Sequence, residues 1–380
     1  MKIGIDARFY GPHGTGLGRY IQKLIDSLAH IDQKNDYLIF LRKKSYESFT
    51  PINPHFRKIL CDIPHYSLRE QVQMPYLLQR ENCDLFHFGH FNVPLMYRGP
   101  FVVTIHDMIK HDFSGLSATT RAPLVYALKH KGYLTVFSSG VKRARKILVP
   151  SLYVKTQLIK RFSLTEDLIV VTYEAGDPDS FSIPQDDKKE NELLTRYDIT
   201  PPFVISVGNM YPYKNLERLI LAVKAVSKET KSKVQLALVG ARDVFRDRLE
   251  QYAKEKDTSD LVRFCGFVPD SDLVHLFHRA SCYVFPSLSE GFGIPAIEAM
   301  NAGLPVVSSN AAALPEVIGD AAVYFDPTCI SDMSQAIKKV VFDTKEQERL
   351  KTLGKKKAAT YSWEKMARET LNVYETSTRA

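Results

Sequence analysis

From residue 201 onward, short apolar runs alternate with longer stretches of helical period. The runs lie at 203–208, 234–240, 261–265, 282–285, 304–308 and 321–325. Strands separated by helices cannot pair as hairpins. They become parallel neighbours through crossovers, and right-handed crossovers lay helices over both faces of one sheet. The alternation therefore predicts an α/β doubly wound parallel sheet. The first half repeats the pattern, with strands expected at Lys2–Ala7, Tyr37–Leu41, Asp84–Phe88 and Phe101–Ile105, and a last one at Lys146–Ser151. Residues 42–60 read as a basic loop, 71–79 as a helix and 121–146 as a long helix. A chain of 380 residues is long for one core, so two domains are expected. The expected division is 1–180, a linker at 181–200 that continues the polar, proline-punctuated stretch 176–192, then 201–360, and a tail at 361–380.

Ligands of open α/β sheets sit at the carboxyl ends of the strands. The richest such end is Glu290-Gly291-Phe292-Gly293-Ile294-Pro295-Ala296-Ile297-Glu298, directly after the fourth run. Pro295 suits the first helical position. That puts Glu290 in the loop and Glu298 in the first turn of the helix. Gly291 and Gly293 let backbone approach a ligand closely. The free N–H groups and dipole of a helix start favour phosphate. Carboxylates on either side of such a nest would accept hydrogen bonds from hydroxyls. A nucleotide sugar has hydroxyls at both ends and diphosphate between. The alternative is a solvated loop acid and a dipole-complementing helix acid.

Other strand ends add candidates. Lys214 follows the run ending at Gly208 and would neutralise phosphate as a point charge. His106 and Asp107 follow 101–105. His13, His87, His90 and His111 are further cleft candidates. The glycines Gly14, Gly16 and Gly18 after the first strand give GxGxG rather than GxGxxG, which argues against a dinucleotide-dependent dehydrogenase. Asp177-Pro178-Asp179 has the spacing of a metal-binding Asp-x-Asp and reads as turn chemistry.

No apolar run reaches the ~18–20 residues of a membrane span, and the first residues enter a strand without a signal-peptide core. Five scattered cysteines without a CxxC pair read as reduced, cytoplasmic and free of a zinc site. Residues 1–180 hold 24 Lys+Arg against 16 Asp+Glu, whereas 181–380 hold 27 of each. A basic first half suits an anionic partner, whether nucleic acid, an acidic membrane surface or a phosphate-bearing acceptor; simple solubility is the alternative. Within 121–146, Arg121, Lys129, Lys131, Lys142, Arg143, Arg145 and Lys146 interleave with apolar residues. That is either a membrane-surface helix or a core helix with a basic rim.

The Glu290–Glu298 stretch resembles the Glu-x7-Glu motif of retaining GT-B glycosyltransferases of group 1, family 4. Ser287-Leu288-Ser289, Ala299 to Val307, Leu314-Pro315-Glu316-Val317 and Gly319 to Ala322 are similar to the same pattern. The resemblance covers most of 200–330 and returns in pieces in the first half. It implies two Rossmann-like domains with a cleft between them and a tail at 361–380 that crosses back, with Trp363 as its packing anchor. It implies catalytic roles for His106, Lys214 and Glu290. Gly16, Leu17, Asn209, Lys214 and the backbone of Gly291, Phe292, Gly293 and Ile294 would face the donor diphosphate. Glu290 would hold the sugar, Glu298 the ribose and Val268 the base. Asn209 stands where the family has Arg, so either the phosphate clamp is weaker or a basic residue of the other domain, with Arg8, His13 and Arg19 as candidates, supplies the charge. Metal and cofactor are not required in such enzymes.

Gly-Leu-Gly-Arg-Tyr and His-Asp-Met are similar to bacterial mannosyl- and rhamnosyltransferases of polysaccharide assembly, which points to GDP-mannose. UDP-glucose, UDP-N-acetylglucosamine and dTDP-rhamnose remain open. The acceptor would be a saccharide or a polyprenyl-diphosphate-linked saccharide at the inner membrane face, not nucleic acid. A UDP-sugar 2-epimerase of the same fold and a non-catalytic nucleotide-binding module are the other readings.

Overall fold

The computed structural model describes residues 1–11, 15–113, 123–241 and 244–378. In chain order the first elements are β1 (Lys2–Asp6), α1 (Thr15–Ile31), β2 (Asp36–Leu41), α2 (Lys43–Ser48), β3 (Phe56–Leu60), α3 (Leu68–Glu81), β4 (Leu85–Phe88), β5 (Phe101–Thr104), α4 (Ile109–Asp112), α5 (Pro123–Arg143), β6 (Lys146–Val149), α6 (Leu152–Phe162) and β7 (Ile169–Val171). Then follow α7 (Pro178–Phe181), α8 (Asp187–Arg196), β8 (Phe203–Val207), α9 (Leu216–Thr230), β9 (Gln235–Val239), α10 (Val244–Glu255), β10 (Val262–Gly266), α11 (Asp270–Arg279) and β11 (Cys282–Phe285). The chain closes with α12 (Ile294–Asn301), β12 (Val306–Ser309), α13 (Leu314–Ile318), β13 (Ala322–Phe325), α14 (Ile330–Phe342), α15 (Thr344–Ala358) and α16 (Trp363–Thr378). The described residues form two units. The chain leaves the first after Glu174 and returns to it at Ser362.

The first unit is a seven-stranded sheet in the order β3-β2-β1-β4-β5-β6-β7, with every pairing parallel. Strands buried on both faces read as continuous apolar runs, and β1, β2, β4, β5 and β6 are such runs. The two edge strands are not, and they correct the sequence reading. β3 lies in the stretch expected to be loop, and β7 follows the strand expected to be last. Both are partly exposed, so their patterns are diluted.

His87 sits fully buried in β4, a core residue rather than a cleft residue. Its Nδ1 is 2.6 Å from the Tyr374 hydroxyl of α16, and its Nε2 is 2.8 Å from Thr104 Oγ1. The Tyr20 hydroxyl of α1 meets the same Thr104 oxygen at 2.9 Å. This polar chain joins α1, β4, β5 and α16. Burial pushes the His87 pKa down to about 3, so its imidazole is neutral.

Arg8, a sequence candidate for the phosphate, is committed elsewhere. Its guanidinium is buried and donates to Asp6 Oδ2 at 2.7 Å, Glu70 Oε1 at 2.6 Å and the Ile63 carbonyl at 3.3 Å. Removing one partner of a buried ion pair leaves a charge without compensation. Arg8→Met should therefore cost roughly 3–5 kcal/mol, read as a lower urea midpoint at unchanged slope.

The second unit is a six-stranded parallel sheet in the order β10-β9-β8-β11-β12-β13. On one face α9 packs against α14, placing Leu219, Ile220, Val223 and Val226 in a cluster with Met333, Ile337 and Val340. The stretch 181–200, expected to be linker, holds α8. Asp186 starts that helix by accepting from the Lys189 amide at 3.1 Å. Its polar composition belongs to a one-sided helix that buries Glu190, Leu193 and Leu194.

Candidate functional site

Strand order in the second sheet runs outward from β8, with β9 on one side and β11 on the other. Loops leaving β8 and β11 diverge there and open a crevice. Lys214 and Glu290 come from these two loops. Lys214 Nζ lies 2.6 Å from Glu290 Oε1, and the two side chains are 14% and 11% exposed. The ammonium also lies 5.4 Å from the Tyr213 ring centre and 5.5 Å from that of Phe285. Residues 76 apart in sequence are thus brought into one charged pair.

Asn215 fixes the pair's geometry. It takes the left-handed conformation (φ +60°) at the start of α9. Its buried Nδ2 donates to the carbonyls of Pro286 at 3.0 Å and Pro327 at 2.8 Å. The Leu288 amide donates to the Tyr213 carbonyl at 2.8 Å. Loops from β8, β11 and β13 are clasped together one residue beyond Lys214. Asn215→Ala removes both donors and puts a Cβ-bearing residue without local side-chain bonding at positive φ. The expected loss of stability is about 2–4 kcal/mol, measured by denaturant unfolding.

Beside the pair, a pocket of about 10 Å³ is lined by Gly208, Asn209, Lys214, Leu238, Phe285 and Ser287, among others. That is room for about one water. Among the described residues, Asn209 Oδ1 and Ser287 Oγ in this pocket are buried without a hydrogen-bond partner. The amide of Asn209 can present either its oxygen or its nitrogen there.

The glycine stretch places its residues unequally. Gly293 has φ +110°, and a Cβ on it would fall 2.9 Å from Phe285 Cε1 and 3.1 Å from Leu314 Cδ2. Only glycine fits. Gly293 precedes α12, whose first N–H groups have no intrahelical acceptor. Phe292 is buried against Tyr361, with ring centres 5.3 Å apart, so only its backbone is available to a ligand. Gly291 is buried and Ile294 half-buried. Glu298 is 4% exposed and stands in the second turn of α12, not the first, because the helix already begins at Ile294. Val268 is buried while its neighbour Phe267 is 70% exposed. The sequence reading chose the apolar side chain that packs inward and passed over the one that faces out. Asp177 starts α7 and accepts from Ser180 Oγ at 3.1 Å, and Asp179 is exposed; that is turn chemistry.

In the first unit His106 follows β5. Its Nδ1 is 2.8 Å from Glu174 Oε1 and its Nε2 is 3.0 Å from the Gly89 carbonyl. Both partners are acceptors, so both ring nitrogens donate, which only the imidazolium can do. Burial disfavours that charge, but the hydrogen bond and charge of Glu174, the Gly89 carbonyl and Asp107 together raise the pKa above the ordinary histidine value. Glu174 escaped the sequence reading because it lies 68 residues away without a local motif. A raised native pKa means the pair's stabilisation is complete below the unfolded value of about 6.5 and is lost as pH rises through the native value. In Glu174→Gln the His106 pKa should fall below that of wild type, as followed by NMR titration of the ring. The stability gap between the two proteins should be widest at low pH and close as pH rises.

His111 is also a core residue, with Nδ1 2.5 Å from the Tyr133 hydroxyl and its pKa pushed to about 4 by burial. His90 Nε2 meets the Tyr66 hydroxyl at 2.8 Å, with its ring centre 6.3 Å from that of His106. Gly16 is exposed at the start of α1, and Leu17 and Arg19 beside it are half-buried. His13, Gly14 and Arg121 lie outside the described residues. α5 has two characters. Phe137 and Val141 are core, whereas Val125 and Leu128 are exposed alongside Lys129 and Lys131. Arg143 is structural, donating to the Tyr97 and Pro94 carbonyls.

Residues 14–180 match the model of Glycosyltransferase Family 4, and residues 188–357 that of Glycosyl transferases group 1. The chain is 34% identical over 375 residues to O-antigen chain mannosyltransferase B of Escherichia coli, covering 95% of this chain and 96% of that one. It belongs to the group 1, family 4 glycosyltransferases. The O-antigen chain mannosyltransferase RfbU of Salmonella typhimurium is 26% identical over 87% of this chain and 88% of its own. The solved structure of HepE from Anabaena in complex with UDP-glucose superposes with a TM-score of 0.76 at 16% identity, covering 99% of this glycosyltransferase and all of HepE (100%). The two parallel-sheet units are thus the GT-B architecture. No described helix is long and apolar enough to cross a membrane.

Proposed function

We propose that this glycosyltransferase transfers mannose from GDP-mannose, with retention, to a hydroxyl of a saccharide or polyprenyl-diphosphate-linked acceptor. The observation that carries the reading is the Lys214–Glu290 pair at the switch point of the second sheet, next to the start of α12. The two mannosyltransferase relatives support the choice of sugar.

Cleavage of the anomeric C–O bond gives the diphosphate extra negative charge and the sugar oxocarbenium character. The acceptor hydroxyl forms the new C–O bond, and its proton leaves with the diphosphate. Lys214 and the N–H groups from Gly291 to Ile294 stabilise the leaving group. Asn209 adds a hydrogen bond without charge. Glu290 holds sugar hydroxyls, Glu298 serves the ribose, Gly16 and Leu17 border the diphosphate, and the backbone at Val268 meets the base. His106, held charged by Glu174, contacts the sugar. No side chain is assigned as nucleophile, and no metal or cofactor is needed for the transfer. The enzyme works in the cytoplasm against the inner membrane face. Leu68, Val72 and Tyr76 form an exposed apolar stripe at helical spacing along α3, and with Lys129 and Lys131 of α5 they suit an anionic lipid surface.

The test is nucleotide release from a panel of GDP-, UDP- and dTDP-sugars, with and without EDTA. GDP release from GDP-mannose should survive EDTA, and Lys214→Ala and Glu290→Ala should each lower it by roughly 10²–10³-fold. Turnover of a UDP-sugar to its 2-epimer without acceptor would establish the epimerase reading. Donor binding without nucleotide release, even with membrane extract, would establish a binding module.

A further inference from the structure

Away from the donor loops, α8 and α11 meet in the second unit, and their rim is laced by ion pairs. Asp272 of α11 takes Lys189 at 3.1 Å and Arg196 at 3.3 Å. Beneath that rim lies a different cluster. His275 and His278 are three apart on α11 and share one face. Glu190 of α8 points its carboxylate between them. Glu190 Oε1 is 3.0 Å from His278 Nδ1 and 3.8 Å from His275 Nδ1. The three ligand atoms all lie within 4.8 Å of one another. Glu190 is 1% exposed and His275 5%.

Hydrogen bonding leaves this cluster unsatisfied. His275 Nδ1 is buried and has no partner among the described residues. Protonated, it would be too far from Glu190 to donate. Unprotonated, it would be an acceptor without a donor. Burying such an atom is costly, and so is burying the carboxylate of Glu190. Oε1 of that carboxylate receives the His278 Nδ1–H and the Asp186 amide at 3.3 Å. Among the described residues its nearest permanent cation is Arg279 at 3.7 Å, partly exposed and also reaching Asp187 at 3.8 Å.

We propose that Glu190, His275 and His278 bind a zinc ion that clasps α8 to α11. Two imidazoles and one carboxylate form a zinc ligand set that leaves a fourth position for water. Ligands about 2.0–2.1 Å from a tetrahedral ion stand roughly 3.3 Å apart. The 3.0 and 3.8 Å carboxylate-to-imidazole separations bracket that value, and with all three atoms within 4.8 Å of one another rotamer adjustment of the two histidines closes the set on an ion. The ion would take up both imidazole lone pairs and the carboxylate charge, with Arg279 turned toward Asp187. A route in is present, because His278 lines an open groove of about 750 Å³ with Phe181, Pro184, Asn301, Lys355 and Tyr361. No residue of the cluster belongs to the donor pocket. The ion is a brace, and the sugar transfer stays independent of it.

The full chain, stripped with EDTA and dialysed, is titrated with ZnCl₂ by calorimetry and with CoCl₂ in the visible range. Wild type should bind one equivalent, and Co²⁺ should give the absorption of a tetrahedral nitrogen–oxygen site. Zinc at a hundredfold excess over its Kd should raise the melting temperature of the second unit by roughly 5–10 °C. His275→Gln and His278→Gln should each weaken zinc by more than the roughly 10–100-fold of a lost outer partner, with unchanged circular dichroism and nucleotide release. X-ray absorption at the zinc edge reads the wild-type ligands directly and does not depend on how the variants fold. An imidazole and oxygen shell supports the site. A sulfur shell, affinity unchanged in both variants, or no binding by wild type overturns it.

Discussion

The second unit's chemistry depends on one asparagine amide. Parallel strands diverging from β8 leave a crevice, but a crevice alone does not set the distance between groups on its opposite lips. Asn215 does so by donating to carbonyls at the ends of two other strands, while its backbone turns the chain into α9. Lys214 is then aimed by its neighbour rather than by its own long stem. A lysine chain has many rotamers to lose, and anchoring its backbone, with the ammonium held near the Tyr213 and Phe285 rings, removes much of that freedom before a ligand arrives. The Asn of the Lys-Asn pair is thus a positioning residue.

The first unit solves a related problem by pairing. His106 and Glu174 are both largely buried, and the imidazolium persists because each ring nitrogen faces an acceptor. Nearby His87 is fully buried and faces hydroxyls, which can donate or accept, and it stays neutral. Two histidines, one on β4 and one just beyond β5, thus carry different charge states: without an anionic partner burial keeps His87 neutral, whereas Glu174 holds the proton on His106.

What could be read from residues alone followed the physics of burial. The central strands announce themselves because both faces are covered, as in β4, β8 and β11. Edge strands β3 and β7 and the one-sided helix α8 do not, since half their side chains answer to water. Within the site, Lys214 and Glu290 were legible because glycine, proline and strand-end position constrain their loops. Their contact was not, being a property of sheet order. Glu174 was invisible for the same reason, arriving at His106 from a distant segment. Gly293 reads from the sequence as a place where backbone can approach a ligand; that a Cβ there would collide with Phe285 and Leu314 is a property of the packing.

The Lys214–Glu290 pair has a consequence for recognition. In the free protein the positive charge that would greet a diphosphate is already half spent on a carboxylate 2.6 Å away. An incoming anion does not meet a bare cation; it must share one, and Glu290 must find something else to hold. A ligand bringing phosphate alone satisfies the lysine and strands the glutamate. A ligand bringing phosphate and hydroxyls together satisfies both. In the proposed donor site the resting ion pair would therefore act as a two-key lock, penalising free phosphate and favouring molecules that carry a sugar on the far side of their charge.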